Sequence, residues 1–304
     1  MISATHYIDT DDGFGVIRIC IPDSSKPTCN TLNLQIGLDN SGSMDEVCSD
    51  GKTQIDHARH TLKNTVKYLH EIAQKGTRIN LSIFVFDHEI QNICSNIDVE
   101  DKTIITNLLT SINEIESRGS TDIEAALRCQ RDFVTHHETL NNDDRVVCIT
   151  LTDGQPTCGN CDDDYLAHIP SDKAYQYYIG YGPHHHYKLL SLLGANRNSE
   201  YYFAESFEKS GMVYGEIVHR ILYSVIDQPM INIVGGTVYD SASGEWKSNT
   251  CLSGVSAGDV KTVALKASQQ DSVIVKLVFA SGESILSSRN MYLEDDSKSS
   301  LSNE

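Results

Sequence analysis

The sequence predicts an α/β fold in which a doubly wound, mostly parallel sheet is accompanied by a small antiparallel β module. Two observations support this prediction. Residues 31–227 alternate short apolar runs with amphipathic stretches of helical period, which is the pattern of a parallel sheet with helices on both faces. Residues 1–30 and 228–293 carry strand patterns without a long helix, as an antiparallel sheet or sandwich does. We therefore expect the two chain ends to build one β-rich module, followed by a disordered acidic tail at 294–304.

The elements of the central segment alternate between strand and helix. Strands are predicted at nearly continuous apolar runs, because a parallel sheet is buried on both faces, and helices where apolar residues recur every three or four positions. The predicted strands are 32–38, 79–86, 90–94, 146–151, 175–180 and 201–204. The predicted helices are 53–73, 104–115, 123–133, 187–193 and 212–226. This order is typical of a Rossmann-like sheet, in which ligands bind beyond the carboxyl ends of the strands.

The first central strand is unusually polar, since it contains Asn33, Gln35 and Gly37. A strand in the middle of a covered parallel sheet is normally apolar. We expect this strand either to be partly uncovered or to pack against the terminal module.

The module at the chain ends is predicted from shorter strand patterns. A proline at position 229 breaks the last helix pattern, because proline cannot continue a helix. The predicted strands are 14–21, 231–234, 236–240, 260–265 and 273–280. The segment after residue 228 is short for an independent domain, so the N-terminal strands are expected to complete it.

Charge and composition exclude several classes of function. The 24 Lys and Arg residues against 42 Asp and Glu residues give a formal net charge of -18, which repels nucleic acids and anionic membranes but suits cations and basic partners. No apolar run reaches the about 18 residues that indicate a membrane span, and the first residues lack the plan of a secretory signal. The cysteines are odd in number and scattered, which favours a reducing compartment. We therefore expect a cytoplasmic or otherwise intracellular protein.

Five oxygen-bearing side chains occupy positions at one edge of the predicted sheet. Asp39, Ser41 and Ser43 follow the first central strand. Thr121 precedes a helix, and Asp153 follows a later strand. The glycine between the two serines lets the backbone turn tightly enough to aim both hydroxyls at one point. Hard oxygen ligands of this kind suit Mg²⁺, Mn²⁺ or Ca²⁺ rather than soft metals.

In this order and context, the five residues resemble the complete metal-ion-dependent adhesion site of the von Willebrand factor A domain family. The resemblance covers about residues 31–227. It includes the ends of two later strands, Ile179-Gly180-Tyr181-Gly182 and Tyr201-Tyr202-Phe203-Ala204. The motif elements occur in the family's order, spaced by predicted strands and helices.

The resemblance implies a binding function rather than catalysis. Ser41, Ser43 and Thr121 would coordinate a divalent ion, Mg²⁺ by preference, directly or in alternation with water. Asp39 and Asp153 would hold waters by hydrogen bonds or bind the ion directly. An Asp or Glu carboxylate of a partner protein would then complete the coordination shell.

Other interpretations stay open at this stage. Ser41 and Ser43 could be turn residues and Asp153 a strand-end cap, or the site could be intact but vestigial. An alternative function is that of an accessory or scaffold subunit of an intracellular complex, for example with a partner ATPase. In that case the metal would be structural.

Catalysis and nucleotide binding are less favoured. The candidate acid–base residues His57, His88 and His184 form no spaced constellation with a nucleophile. The segment Gly51-Lys52-Thr53 ends like a phosphate-binding loop, but the glycine that this motif needs five residues earlier is replaced by Glu46. We interpret Lys52 and Thr53 as the start of a helix.

A second motif, Cys158-Gly159-Asn160-Cys161, has the spacing of a metal knuckle or a redox pair. Zinc would need two further ligands, so a local disulfide or free loop thiols are favoured, with a second metal at Cys158 and Cys161 as the alternative. The acidic run Asp162-Asp163-Asp164 that follows is expected to be a solvated turn.

Overall fold

The structure, a computed structural model, divides the chain into two compact units. The larger unit comprises residues 29–222, and the smaller one combines 1–28 with 223–304. The described residues are 2–9, 13–23, 29, 31–137, 144–182, 185–204, 207–226, 229–240, 243–252, 255–268, 273–279 and 284–289. The tail predicted to be disordered, 294–304, and the histidine at position 184 lie outside them.

Helices belong mainly to the larger unit, whereas strands occur in both. In chain order, the strands are β1 (Ser3–Ile8), β2 (Phe14–Cys20), β3 (Thr31–Asp39), β4 (Arg78–Phe86), β5 (Ile90–Asp98), β6 (Asp144–Thr152), β7 (Tyr175–Tyr181), β8 (Ser199–Ala204), β9 (Ser224–Ile226), β10 (Met230–Val234), β11 (Gly236–Asp240), β12 (Glu245–Lys247), β13 (Asn249–Cys251), β14 (Val255–Ser256), β15 (Val260–Ala267), β16 (Ile274–Val278), β17 (Ser284–Leu286) and β18 (Ser288–Arg289). The helices are α1 (Gln54–Ala73), α2 (Lys102–Asn113), α3 (Ile123–His137), α4 (Asp163–Ala167), α5 (Tyr187–Gly194) and α6 (Phe207–Tyr223), and a short 3-10 helix (Gly42–Asp45) follows β3. Within the described part of the chain, no helix is both long and apolar enough to cross a membrane.

A six-stranded sheet forms the middle of the larger unit. Its strand order is β5-β4-β3-β6-β7-β8, and each neighbouring pair is parallel except β4 with β5. The predicted fold class is therefore confirmed for this sheet. Leu38 of β3 lies in register with Leu151 of β6, so the residues that follow these two strands emerge side by side at one edge.

The polar residues of β3 are covered, so the expectation that this strand is partly uncovered is wrong. Asn33 and Gln35 are both buried, and Asn80 on β4 donates its side-chain N–H to Asn33 Oδ1 at 2.9 Å. Gly37 makes room for a ring, because a Cβ atom at this position would stand 2.4 Å from Phe84 Cζ. Polar pairing between strands explains Asn33, and the large ring opposite Gly37 explains that glycine.

Local sequence determines where α1 begins and which face it buries. The Thr53 hydroxyl accepts the N–H of Asp56, and the Asp56 carboxylate accepts the N–H of Thr53. This reciprocal pair is a capping box, which satisfies backbone donors that a helix leaves unpaired at its start. Ile55, Leu62 and Leu69 are buried, so the stripe predicted from helical spacing faces the interior.

The closing helix begins and ends earlier than the sequence predicts. α6 ends at Tyr223 instead of continuing to residue 226. The residues Ser224–Ile226 form β9, which pairs antiparallel with β14. Strand pairing with a segment far along the chain therefore replaces the last turn of the predicted helix.

The acidic run after the second cysteine begins a helix instead of forming a turn, although Asp162 and Asp164 are exposed as predicted. Asp162 caps α4 by accepting the N–H of Tyr165 at 2.8 Å. Asp163 Oδ2 lies 2.8 Å from Lys188 Nζ. These carboxylates thus begin a helix and join it to the start of α5.

The smaller unit is β-rich and takes strands from both chain ends. One sheet has the order β12-β11-β15-β2-β1-β18, and another has the order β13-β10-β16-β17. β2 pairs antiparallel with both β1 and β15, so an N-terminal strand lies between its own hairpin partner and a C-terminal strand. The buried core includes Ile17, Ile19, Ile231, Leu265 and Leu277. The antiparallel β module built from the termini is therefore confirmed.

Replacing Gly37 with alanine is expected to destabilise the larger unit, because the new Cβ atom and the buried Phe84 ring would overlap. Overpacking of this kind costs about 1–3 kcal/mol of unfolding free energy, which urea denaturation would measure. Gly211→Ala is the matched control, since nothing lies within 4 Å of a Cβ atom at that position. Its unfolding free energy should stay the same or rise slightly. An unchanged stability in Gly37→Ala would contradict this explanation.

Candidate metal centre

The loop after β3 and the loop after β6 meet through their side chains. Ser43 Oγ donates a hydrogen bond to Asp153 Oδ1 at 2.9 Å and lies 3.1 Å from Ser41 Oγ. Ser41 and Asp153 are buried, whereas Ser43 is exposed. The two serine hydroxyls and one carboxylate therefore converge at a point that solvent can reach from one side.

Thr121 reaches the same point from the loop before α3. A Cβ atom placed on Gly154 would stand 3.5 Å from Thr121 Oγ1 and 3.6 Å from Ser43 Oγ. The two hydroxyls thus border the space beside Gly154, each at ordinary contact distance from a Cβ atom placed there. All three loops predicted to carry ligands contribute to one small space.

Asp39 lies beneath this space and is held rigidly. Its carboxylate accepts the N–H of Ser41 at 2.8 Å and the hydroxyl of Thr152 at 2.5 Å. Thr152 is a site residue that the sequence analysis missed. Its position at the end of β6, in the pair of strands that also delivers Asp39, is the signal that could have identified it.

Backbone hydrogen bonds fix the three loops to one another. The Gly42 N–H donates to Gly119 O at 3.0 Å, and the Arg118 N–H donates to Asn40 O at 2.7 Å. The Thr157 N–H donates to Thr121 O at 2.9 Å. Because these bonds do not depend on the side chains of the site, the ligand positions are set in advance.

A buried carboxylate with two half-exposed partners also supports the middle loop. Asp87, at the end of β4, is buried, and its Oδ2 atom lies 2.8 Å from Arg118 Nε and 3.2 Å from His88 Nδ1. Gly119 has a φ of +68°, and a Cβ atom there would stand 2.3 Å from His88 Nδ1. Glycine is therefore required at this position, both for the left-handed backbone and for the close approach. Sequence analysis did not identify this support, because its members are distant in the chain.

The electrostatics of the site favour a cation. Burial, followed by the charge of Asp153, raises the pKa of Asp39 to about 7. Burial also raises the pKa of Asp153. Two carboxylates close together in a buried place disfavour each other's charged form, and a cation between them would relieve that repulsion. Two carboxylates and three hydroxyls are hard oxygen donors, which suit Mg²⁺, Mn²⁺ or Ca²⁺.

Other combinations of ligands are less suitable. No group of three or more His, Cys, Asp or Glu side chains is placed to hold a metal ion among the residues that the structure describes. Cys158 and Cys161 are free thiols, so a second metal at this pair has no third ligand of these types within the described chain. The redox interpretation of the same pair is not affected by this result.

Two of the histidines considered as acid–base residues pair with carboxylates. His57 Nε2 lies 3.0 Å from Asp50 Oδ1, and His88 supports the middle loop through Asp87. His57 borders a cavity of about 510 Å³ between α1 and α6. Each of the two histidines thus has a carboxylate partner.

The comparisons with known proteins agree with the geometry at the level of the fold. The model of a family described as von Willebrand factor type A domain matches residues 33–216, which is more than half of the chain. Among solved structures, the chain is similar to a von Willebrand factor type A protein from Catenulispora acidiphila, with 10% identity, a TM-score of 0.59, and coverage of 97% of this chain and 74% of that chain. No curated protein sequence matches.

Two further solved structures come from pili. The chain is similar to the PilB minor pilin from Streptococcus sanguinis, with 15% identity, a TM-score of 0.51, and coverage of 72% of this chain and 78% of that chain. It is also similar to the pilus adhesin SpaC from Lactobacillus rhamnosus GG, with 10% identity, a TM-score of 0.51, and coverage of 94% of this chain but only 46% of that chain. Likeness at these identities concerns the fold alone.

Replacing Thr152 with valine is expected to destabilise the protein. Valine has nearly the same shape as threonine, but it cannot donate the hydrogen bond that the buried Asp39 carboxylate accepts. Leaving a buried acceptor unpaired costs about 1–3 kcal/mol, which chemical denaturation would measure. Thr152→Ser keeps the hydroxyl and serves as the control. If Thr152→Val were as stable as the unchanged protein, the proposed role of the hydroxyl would be wrong.

Proposed function

The chain belongs to the von Willebrand factor type A family, and we propose that it is a non-enzymatic protein-interaction module whose partners bind through a divalent metal ion. One observation carries the proposal. Five oxygen side chains from three separate loops converge at the carboxyl edge of the central sheet. Ligands of open α/β sheets bind at this edge.

Each of the five residues has a role in the proposed site. Ser41, Ser43 and Thr121 would hold the ion through their hydroxyl oxygens, directly or in alternation with water. Asp39 and Asp153 would orient waters or bind the ion directly. Mg²⁺ is the favoured ion, and Mn²⁺ or Ca²⁺ would also accept these oxygens. When bound, the ion supplies an electrophilic position for an Asp or Glu carboxylate of a partner, because neutral hydroxyls leave most of its charge uncompensated.

The rigidity of the loops supports a recognition role. Asp39 is fixed by two hydrogen bonds, and the three loops are joined by backbone bonds. A site that is organised before binding loses little conformational freedom when a ligand arrives. The strongly negative charge of the chain favours partner proteins over nucleic acids.

We also propose an intracellular location. All nine cysteines are free thiols, including the exposed Cys161 and Cys251, and a reducing compartment would keep them in this state. The similarity to pilus proteins concerns the fold and does not bear on location.

The second candidate function is an accessory or scaffold subunit of an intracellular complex, for example with a partner ATPase. The meeting of three loops at this point favours the scaffold, because an ion bound there would add a further link between them. The two functions differ in what chelation of the metal does. A scaffold would lose much thermal stability in EDTA yet keep its partner, whereas an interaction module would release its partner.

Removing the Thr121 hydroxyl is expected to weaken Mg²⁺ binding at least about tenfold, since one direct ligand is lost while the fold stays intact. Isothermal titration calorimetry on the full chain would measure the dissociation constant. A tenfold change corresponds to about 1.4 kcal/mol, which is within the range for one charge-assisted contact.

The matched control is Ser120→Ala, because Ser120 is the exposed neighbour of Thr121 in the same loop. Its affinity for Mg²⁺ should equal that of the unchanged protein. Absence of Mg²⁺ binding at millimolar concentration, or equal losses in both variants, would refute the proposed site.

A further inference from the structure

The loop after β6 carries two thiols and also holds Thr121. We propose that Cys158 and Cys161 form a reversible disulfide by exchange with a low-molecular-weight disulfide such as glutathione disulfide, and that this disulfide tightens the divalent-cation site through Thr121. The existence of the disulfide stands by itself. Its effect on the cation rests on the proposed function.

The backbone between the two thiols forms a tight turn. Gly159 has a φ of +70°, and a Cβ atom at this position would stand 2.4 Å from Asp122 Oδ1. Cys161 Sγ lies 3.5 Å from Pro156 O and 4.0 Å from Cys158 O. The sulfur of Cys161 therefore lies over the turn, beside the backbone carbonyls of the segment that contains Cys158.

The turn is held in place from outside. The Asn160 N–H donates to Glu124 Oε2 at 2.9 Å, and the Asp162 N–H donates to Asn160 Oδ1 at 2.9 Å. The backbone is thus anchored to α3 at Asn160, and the Asn160 side chain ties the turn to Asp162. A dithiol in a preorganised turn oxidises at a higher effective concentration than two thiols on a flexible chain.

The two thiols differ in access, which assigns their order of reaction. Cys161 is exposed, while Cys158 is half-buried. Cys161 therefore attacks first, and Cys158 resolves the intermediate.

The exchange is balanced in atoms and electrons. The Cys161 thiolate attacks one sulfur of glutathione disulfide, so the S–S bond of that molecule breaks and one glutathione thiolate leaves. The Cys158 thiolate then attacks the Cys161 sulfur of the mixed disulfide and displaces the second glutathione thiolate. The two thiols lose two electrons to glutathione disulfide, and their two protons end on the two released glutathione molecules.

The same loop is bonded to a proposed metal ligand. The Thr157 and Cys158 N–H groups donate to Thr121 O at 2.9 and 3.3 Å, and the Thr121 N–H donates to Thr157 Oγ1 at 2.8 Å. A disulfide would restrict the motion of Cys158, whose N–H makes the longest of these bonds. Thr121 would then lose less freedom when a cation binds, so the oxidised protein should bind the cation more tightly.

The experiment uses the full chain equilibrated in mixtures of reduced and oxidised glutathione. Free thiols are trapped by alkylation, and the peptide that contains both cysteines is examined by mass spectrometry for an internal disulfide. Mg²⁺ affinity of the fully reduced and fully oxidised protein is then measured by calorimetry. We expect the internal disulfide to form and the oxidised protein to bind Mg²⁺ at least about threefold more tightly.

Two variants serve as controls. Cys161→Ser should form no internal disulfide, and its Mg²⁺ affinity should not respond to glutathione disulfide. Cys251→Ser removes another exposed thiol and should behave like the unchanged protein in both measurements.

Each other outcome overturns a defined part of the proposal. If excess glutathione disulfide yields only free thiols or separate glutathione adducts on this peptide, the disulfide itself is refuted. If the disulfide forms but the affinity for Mg²⁺ changes less than twofold or falls, the coupling through Thr121 is refuted. If the reduced protein binds no Mg²⁺ at all, the proposed function fails and the coupling with it, whereas the thiol mapping still decides whether the pair is redox-active.

Discussion

A buried carboxylate at the end of the central strand is the constraint on which the site depends. Asp39 has no exposed surface, and a charge in such a place is unfavourable unless it is paired or hydrogen-bonded. Thr152 and the Ser41 backbone supply donors, but Asp153 adds a second carboxylate nearby. Burial and the charge of Asp153 outweigh these hydrogen bonds, so the pKa of Asp39 is raised to about 7. The charged carboxylate is therefore in an unfavourable balance. The divalent cation that we propose would correct this balance.

The sheet topology explains why these groups meet. β3 and β6 are parallel neighbours in register, so Asp39 and Asp153 follow strand ends that lie at the same edge. The middle loop is drawn to this edge by Gly119, whose carbonyl accepts the Gly42 N–H, and by the Arg118–Asp87 ion pair. Strand order brings the five oxygen-bearing residues near one another, and contacts between the loops fix their positions. The function proposed for this edge therefore depends also on residues that would not contact the ion.

Much of the larger unit could be predicted from local pattern, because burial on both faces of a parallel sheet leaves continuous apolar runs. β4 and α1 differ from the predicted 79–86 and 53–73 by one residue at one end. The end of α6 could not be predicted, since the pairing of β9 with β14 joins segments about thirty positions apart, beyond the reach of local periodicity. The polar β3 was misjudged for a related reason, because the Asn33–Asn80 pair is visible only when two strands are side by side.

The candidate site divides in the same way between local and distant information. Asp39, Ser41 and Ser43 form a compact motif, and its position at the end of a strand indicates a candidate metal site. Thr152 and Asp87 were missed, because each acts on a residue from a different segment and neither belongs to a recognisable spacing. Ion binding by the five oxygens depends on the assembled site. The sequence motif alone predicts such binding but does not test it.

The central claim is that one divalent ion binds among the five oxygens. Crystals of the full chain grown with Mn²⁺ and measured at a wavelength where manganese scatters anomalously would test it most directly. The account predicts one strong anomalous peak bordered by the hydroxyl oxygens of Ser41, Ser43 and Thr121. A peak at another cluster, such as the acidic residues that begin α4, with none at this edge of the sheet, would contradict it.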